Sequence, residues 1–472
     1  MPFFDPEKLA DWSEGKWHGT SSDITGFNID SRKIKPGEMF VAIRAKRDGH
    51  DFLDQAKLNG ASSALVEKVK LDSDLPQLEV KNTLFSFHSI SACHRDQFKK
   101  AVIGITGSCG KTSTKEFLAL LLGEKSHRTS GNLNNYLGVP LTLTQLDSER
   151  HTSAVVEVGI NQQNEMDQLA QIVSPDLVLI TMIGESHLEG LGNLETVAKE
   201  KAKLFKCEKR PVCVFFHSDC LEFKEFSDLK EKSKDHFILV KGIPKKDFQD
   251  ERMVHYEIWT ETNKIGDSCM LRLWRHESPV LQFEIPLMSV GMQKNLVLAI
   301  LAALKLKVSP AEISERLPQY RPSALRAKSY QGRGRTYFVD CYNANPSSMR
   351  DSLEYFRRTY RDNPKLYVLG GMEELGASEV ELHESVGAAL KLEINDLVVL
   401  IGRKAAWYAS GLLKSGADEE QIVILKDLEA AISLVEDFKG VILLKGSRSN
   451  QLENLLPAWA VNEVETGVQL EC

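Results

Sequence analysis

No stretch of the 472-residue chain approaches the ~20 consecutive apolar residues that a membrane-spanning helix needs, which excludes a membrane span. The first residues, Met1-Pro2-Phe3-Phe4-Asp5-Pro6-Glu7, lack the basic start and apolar core of a secretory signal, so a cytoplasmic location is expected. Its eight cysteines form no C-x-x-C pair, and some lie in apolar runs such as Val212-Cys213-Val214. They read as small buried hydrophobes in a reducing compartment, not as a disulfide framework. The nearest approach to a metal cluster, Cys207, Cys213 and Cys220 with His217, follows no zinc spacing. Positive charge is not in excess either: 59 Lys and Arg stand against 66 Asp and Glu, a net −7. That balance excludes a general polyanion or nucleic-acid binder, and any phosphate chemistry must be local.

There is no internal repeat and no low-complexity segment. With 42% hydrophobic and 26% charged residues the chain is of ordinary globular composition. At roughly 100–200 residues per domain, its length predicts about three domains. Short β-branched apolar runs alternate with longer amphipathic stretches, the pattern of α/β domains with parallel sheets. The runs include Ala101-Val102-Ile103-Gly104-Ile105, Ala154-Val155-Val156-Glu157-Val158, Leu177-Val178-Leu179-Ile180, Leu366-Tyr367-Val368-Leu369 and Val441-Ile442-Leu443-Leu444. Most are continuous, as strands covered on both faces should be. An acidic, proline-containing stretch at 70–83 and a second break at 308–323 divide the chain into 1–82, 83–312 and 313–472. Within the middle unit, residues 210–285 alternate polar and apolar residues (Tyr256-Glu257-Ile258-Trp259-Thr260) and read as a β-rich extension.

The sharpest local signal is Thr106-Gly107-Ser108-Cys109-Gly110-Lys111-Thr112-Ser113, directly after a strand and directly before a helical segment, Thr114 to Leu122. Glycines in such a turn let backbone N–H groups point at phosphate, and the helix start adds its positive dipole end. Lys111 would reach the terminal phosphates and the Thr112 hydroxyl a Mg²⁺ ion. The long G-x-x-x-x-G-K-[ST] spacing fails at Ile105, leaving the shorter T-G-x-x-G-K-T form. No N-K-x-D guanine motif follows, so ATP is preferred to GTP. Glu157, at the carboxyl end of another strand, is well placed for Mg²⁺.

These segments resemble the Mur ligases, ATP-dependent amide-bond formers that build the peptide stem of bacterial peptidoglycan. The resemblance is carried by T-G-S-C-G-K-T-S, by Gly131-Asn132-Leu133-Asn134-Asn135-Tyr136-Leu137-Gly138-Val139-Pro140, by Glu157-Val158-Gly159 and by Ser186-His187-Leu188-Glu189. Asp30-Ser31-Arg32-Lys33 through Ala42, with Gly49-His50-Asp51-Phe52, is similar to the uridine-nucleotide domain shared by the family's third and fourth stem ligases. Asp340-Cys341-Tyr342-Asn343-Ala344-Asn345-Pro346 resembles the fourth in particular, supported by Leu369-Gly370-Gly371-Met372-Glu373-Glu374-Leu375-Gly376, His383 and Leu444-Lys445-Gly446-Ser447-Arg448. Asp362-Asn363-Pro364-Lys365 only mimics the D-N-P-R motif of the third ligase. It precedes a strand, and reads as a helix-to-strand turn.

The resemblance implies three α/β domains: a small uridine-nucleotide domain, a central phosphate-loop ATPase domain and a Rossmann-like C-terminal domain. The implied reaction adds D-alanyl-D-alanine to UDP-N-acetylmuramoyl-tripeptide through an acyl phosphate, with ATP and Mg²⁺, in a monomer. It also implies roles. Gly107, Ser108, Cys109, Gly110, Lys111, Thr112 and Ser113 would bind ATP phosphates; Thr112 and Glu157 would hold one Mg²⁺ and His187 a second. Lys201 matches a lysine that related ligases carbamylate into a metal ligand, though a solvated basic helix face, with Lys199 and Lys203, is the plainer reading. Asn132 and Asn135 would orient the muramoyl-peptide, Ser31 and Arg32 the uridine diphosphate. Arg326 and Asp340 would meet nucleotide ribose and phosphates, and Asn343 and Asn345 ATP or the incoming dipeptide.

Two departures stand out. The adenine-side signature G-x-H-N-x-x-N appears as Gly291-Met292-Gln293-Lys294-Asn295-Leu296-Val297, leaving Asn295 as the adenine candidate. The usual Asp after Gly370 is Gly371, its role absent or taken by Glu373 or Glu374. The competing readings are a diamino-acid-adding ligase of the same family and a phosphate-loop ATP-binding switch without ligase activity.

Overall fold

The computed structural model describes residues 3–21, 24–206, 212–232, 235–244, 250–263, 266–275 and 280–461. It contains three sheets. The first is built from β1 (Lys16–His18), β2 (Gly26–Asn28), β3 (Glu38–Val41), β4 (Ser63–Val66) and β5 (Gln77–Glu79), in the order β1-β5-β4-β3-β2. Only β1 runs antiparallel to its neighbour.

The second sheet has nine strands: β6 (Ala101–Thr106), β7 (Ser126–Arg128), β8 (Ser153–Glu157), β9 (Leu177–Ile180), β10 (Cys213–His217), β11 (His236–Lys241), β12 (Met253–Asn263), β13 (Gly266–Arg275) and β14 (Leu281–Ile285). Their order is β14-β13-β12-β11-β10-β9-β6-β8-β7. From β7 across to β12 every pairing is parallel, and antiparallel pairing begins only at β13. The 210–285 segment is therefore mixed. β10 and β11 belong to the buried parallel body, while the alternating sequence of β12, which buries Tyr256 and half-exposes Glu257 and Trp259, starts the one-sided hairpins. Alternate residues of the parallel strands feed two separate cores. Val102, Val156, Val178 and Ile180 pack on one face, Ile103, Ile105, Val155 and Leu179 on the other, which is why these strands read as unbroken apolar runs.

The third sheet comprises β15 (Lys328–Gly332), β16 (Arg335–Asp340), β17 (Lys365–Leu369), β18 (Leu397–Ile401), β19 (Ile422–Leu425) and β20 (Val441–Lys445), ordered β15-β16-β20-β17-β18-β19 and parallel except for β15. It too has a core on each face. Asp362-Asn363-Pro364 is the turn that leads from the helix Pro346–Thr359 into β17.

The joints between the sheets differ from the sequence divisions at 82/83 and 312/313. The helix Thr83–Gln97 puts Phe87 and Ile90 into the N-terminal core. Its Arg95 reaches the middle unit, donating to the Val173 carbonyl at 2.9 Å and the Ser174 carbonyl at 2.7 Å. At the other joint Ile313 and Leu317 lie in the middle core, and Tyr320 stacks 4.1 Å from Phe117. The C-terminal core begins only at Ala324. A break-prone sequence marks where regular strands stop, whereas apolar side chains decide which core a connecting helix joins. No helix among the described residues is long and apolar enough to cross a membrane.

Candidate active site

In the middle sheet the chain runs from β6 to β7 and β8 on one side and then crosses to β9 on the other, and a crevice opens at such a switch beyond the strands' carboxyl ends. The phosphate loop fills that position. Gly110 caps the helix Lys111–Leu122 in the left-handed region (φ +82°), where a side chain would run into Asn295, and no side chain caps the helix start. Its first N–H groups are left for an anion. The strand end after β9 pins the loop from below. The Ser108 backbone N–H donates to the Met182 carbonyl at 2.9 Å, the Ser108 hydroxyl to the Gly184 carbonyl at 2.7 Å, and the Thr181 hydroxyl to the Cys109 carbonyl at 2.5 Å. Lys111 Nζ rests on the Gly107 carbonyl at 2.9 Å, and burial lowers its pKa, with Glu157 opposing. An arriving phosphate would restore the charge that the pocket disfavours.

Glu157, buried at the end of β8, accepts from the Thr112 hydroxyl at 3.2 Å and from Asn134 Nδ2 at 2.7 Å, both on Oε1. Its Oε2 is buried without a hydrogen-bond partner, 3.8 Å from the ammonium of Lys115. A free carboxylate oxygen beside a threonine hydroxyl at a phosphate loop fits a hard divalent cation that completes its shell with phosphate and water. Among the described residues no group of three or more His, Cys, Asp or Glu forms a cage of its own. Of the Cys/His cluster that follows no zinc spacing, Cys207 lies outside the described residues and His217 Nε2 is engaged by the Lys294 carbonyl at 3.1 Å.

The C-terminal sheet turns its carboxyl ends toward this loop. One cavity of about 410 Å³ is lined by residues of both units. It brings together Ser108, Cys109, Gly110, Lys111, Thr112, Ser113, Asn132, Asn135, Glu157, His187, Asn295, Arg326, Asp340, Asn343 and Asn345. Asn345 caps the helix Pro346–Thr359 through its Oδ1, and its Nδ2 donates to the Ser108 carbonyl at 3.2 Å. Arg326 lies over the Tyr342 ring at 3.9 Å. Asp340 faces the buried ammonium of Lys445 at 3.1 Å.

Four expected site residues do not line that cavity. Gly107 lies beneath it, and a Cβ there would collide with the Thr181 hydroxyl. Ser31 and Arg32 belong to the N-terminal sheet, where Arg32 is exposed and forks onto Asp30 with two 2.9 Å bonds. Lys201 is fully buried on the helix Leu194–Ala202. The solvated-face reading therefore holds for Lys199 but fails for Lys201, whose Nζ has no hydrogen-bond partner among the described residues and whose pKa burial drives well below the usual lysine value.

His187, expected at a metal, lines the cavity and meets Glu374 of the C-terminal unit through Nδ1, and that hydrogen bond holds the Glu374 carboxyl below its ordinary pKa. Glu373 bonds Lys404 at 2.6 Å, and the Lys404 stem occupies the space beside Gly371, where a Cβ would fall 2.7 Å from its Cδ. Sequence reasoning missed Asn134, Lys445 and Asp351. The first two lay inside quoted motifs, so only the geometry separates them from their neighbours.

A phosphate loop at one sheet's switch point, walled by the carboxyl ends of a second parallel sheet, defines a multidomain phosphate-loop nucleotide enzyme. The family models agree: residues 105–303 match the Mur ligase middle domain and residues 326–448 the Mur ligase, glutamate ligase domain. The UDP-N-acetylmuramoyl-tripeptide–D-alanyl-D-alanine ligase of Escherichia coli (strain K12) is 31% identical over 470 residues, covering 96% of this chain and 98% of that one. The Bacillus subtilis (strain 168) ligase of the same name is 27% identical, covering 92% of each. The crystal structure of MurF from Acinetobacter baumannii superposes with a TM-score of 0.83 at 27% identity, covering 98% of this chain and 99% of that one. The chain belongs to the Mur ligase family.

Proposed function

We propose that this protein joins D-alanyl-D-alanine to UDP-N-acetylmuramoyl-tripeptide, converting ATP to ADP and phosphate. The observation that carries this reading is the shared cavity, in which the Asn343–Asn345 segment is bonded to the phosphate loop through Asn345 and Ser108. Full-length similarity to ligases of that name supports the choice of substrates.

In the first step the tripeptide carboxylate attacks the γ-phosphorus. A C–O–P link forms, the β–γ bridging P–O bond breaks and ADP leaves. Two anions must meet in a chain whose net charge is −7, so positive groups have to be concentrated. Lys111, the free N–H groups at its helix start and Arg326 provide them within one cavity. Mg²⁺ bound by Thr112 and Glu157 would neutralise charge on the terminal phosphates. In the second step the dipeptide amine attacks the acyl carbon, a C–N bond forms, and phosphate departs with the C–O bond broken while the amine gives up its proton. Asn343 and Asn345 offer neutral donors and acceptors to orient that amine without adding charge. Asn132 and Asn135 do the same for the muramoyl-peptide, Ser31 and Arg32 hold its uridine diphosphate, and Asn295 supports the nucleotide beside Gly110. Burial disfavours the charged form of Lys201, and the neutral amine is the form that reacts with carbon dioxide to give a carbamate. Every residue lining the cavity comes from one chain, which supports a monomer.

The test offers purified protein ATP and the UDP-linked tripeptide with D-alanyl-D-alanine, diaminopimelate, lysine or glutamate in turn. Phosphate release and product formation are expected with the dipeptide alone. Release that is equal without any acceptor, or turnover with a diamino acid, overturns the reading.

A further inference from the structure

A further cross-unit contact uses a carboxylate to which no role falls in the proposed reaction. Asp351 sits on the helix Pro346–Thr359 of the C-terminal unit, six residues beyond its cap Asn345. Its side chain leaves its own unit and ends at the start of the middle unit's helix Val290–Lys305. There it accepts from the Ser289 hydroxyl at 2.6 Å and from the Gly291 backbone N–H at 2.9 Å. Ser289 is that helix's own N-cap, its hydroxyl also receiving the Met292 N–H at 3.3 Å, so Asp351 extends the cap from outside. The same helix carries Asn295, which lies against Gly110 of the phosphate loop.

The fit depends on a glycine. A Cβ on Gly291 would fall 2.5 Å from Asp351 Oδ2, and the backbone there is ordinary helix, so space and not conformation requires the glycine. Burial raises the Asp351 pKa, with Asp340 adding to the rise, while the two donors and Lys445 oppose it. A carboxylate kept in so dry a place, between two units, is stabilised chiefly by the helix start it reaches.

We propose that Asp351 is a positioning residue: by capping the helix Val290–Lys305 across the interface it seats the C-terminal unit so that Asn345 reaches the phosphate loop. This rests on the ligase reading for its kinetic consequence but not for its geometry. Asp351, Ser289 and Gly291 also line the shared cavity, but their bonds join the two units and leave the phosphate loop's own bonds in place. Asp351→Ala is therefore expected to lower kcat about tenfold while the KM for ATP changes less than twofold, the size being that of one hydrogen-bonded charge.

Gly291→Ala supplies the decisive partner variant. It places a better helix former in its own helix, so its fold is not at risk. Yet it pushes Asp351 away and is expected to lower kcat to the same extent. In the double variant the clash has no target, and kcat should be no lower than in either single variant. Scattering of all four proteins, with and without a non-hydrolysable ATP analogue and the UDP-linked tripeptide, gives the second readout. The wild type should reach the smallest radius, the three variants a larger one. Losses that multiply to about a hundredfold in the double variant, wild-type kcat in Gly291→Ala, or equal radii in all four overturn the proposal. If the wild type ligates no dipeptide, the ligase reading fails while the scattering comparison still decides the role of Asp351.

Discussion

Acid should unfold the middle unit through two histidines, one half-buried and one buried. His127 on β7 stacks against His151 with ring centres 4.8 Å apart, and its Nε2 meets the Thr142 carbonyl at 3.0 Å. Burial, with His151 beside it, brings its pKa down to about 4. His217, at the end of β10, meets the Lys294 carbonyl, and burial with the Lys294 charge nearby also brings it to about 4. Both rings are therefore neutral in the folded protein at pH 5. In the unfolded chain a histidine titrates near 6.5 and is charged at that pH. A depressed histidine pKa leaves stability intact above about 6.5 and removes it as pH falls toward 4. With the folded value near 4, each ring should cost about 2 kcal/mol at pH 5 relative to pH 7.5, and the pair about 4 kcal/mol. The assay is urea unfolding at both pH values for the wild type and for His127→Gln/His217→Gln. The wild type should lose about 4 kcal/mol more than the double variant over that interval. An equal loss in both proteins would refute the assignment, since the acid sensitivity would then lie elsewhere.

Three further outcomes follow from the site. Lys111→Ala should cut ligation by about 10³-fold with little change in melting temperature, because among the described residues its ammonium bonds only the Gly107 carbonyl; ATP turnover and calorimetry check both halves. Asn134→Ala should raise the Mg²⁺ concentration for half-maximal rate by about tenfold, since Asn134 holds Glu157 Oε1 at 2.7 Å; an unchanged Mg²⁺ profile would count against Glu157 as a metal ligand. Lys201→Ala should lower the rate by about a hundredfold and be partly rescued by acetate or another short carboxylate, and an activity loss without rescue would oppose a carbamate role.

What the sequence made legible was local. Glycine, lysine and threonine between an apolar strand and a helix specify a phosphate loop because the chemistry is in the backbone turn and the helix start, a few residues apart. The continuous runs of β6, β8, β9 and β17 told their double-sided burial for a similar reason, each strand reporting its own two faces. Partners across the chain were another matter. That Lys201 is buried and Lys199 exposed follows from which helix face meets the core, and three lysines at alternate positions do not disclose it. The joint at 308–323 held the right residues to end a domain, yet Ile313, Leu317 and Tyr320 were already committed to the middle core.

Gly371 shows most sharply why such residues escape reading. Considered alone it is a missing carboxylate, and the natural expectation is that an adjacent glutamate replaces it. In the fold the space beside it is taken by the stem of Lys404, thirty-three residues later, whose ammonium bonds Glu373 at 2.6 Å and the Met372 carbonyl at 2.5 Å. Glu373 is thereby spent on Lys404, and Glu374 is the one left to reach His187. The neighbouring carboxylates thus have different tasks, one fixed within the C-terminal unit and one spanning the interface, and the division is set by a lysine rather than by either glutamate. Gly291 with Asp351 repeats the logic at the other side of the cavity. In both places a glycine is defined by the side chain that fills its space, whether it departs from the family pattern, as Gly371 does, or keeps to it, as Gly291 does, so each has to be read together with a partner distant in sequence.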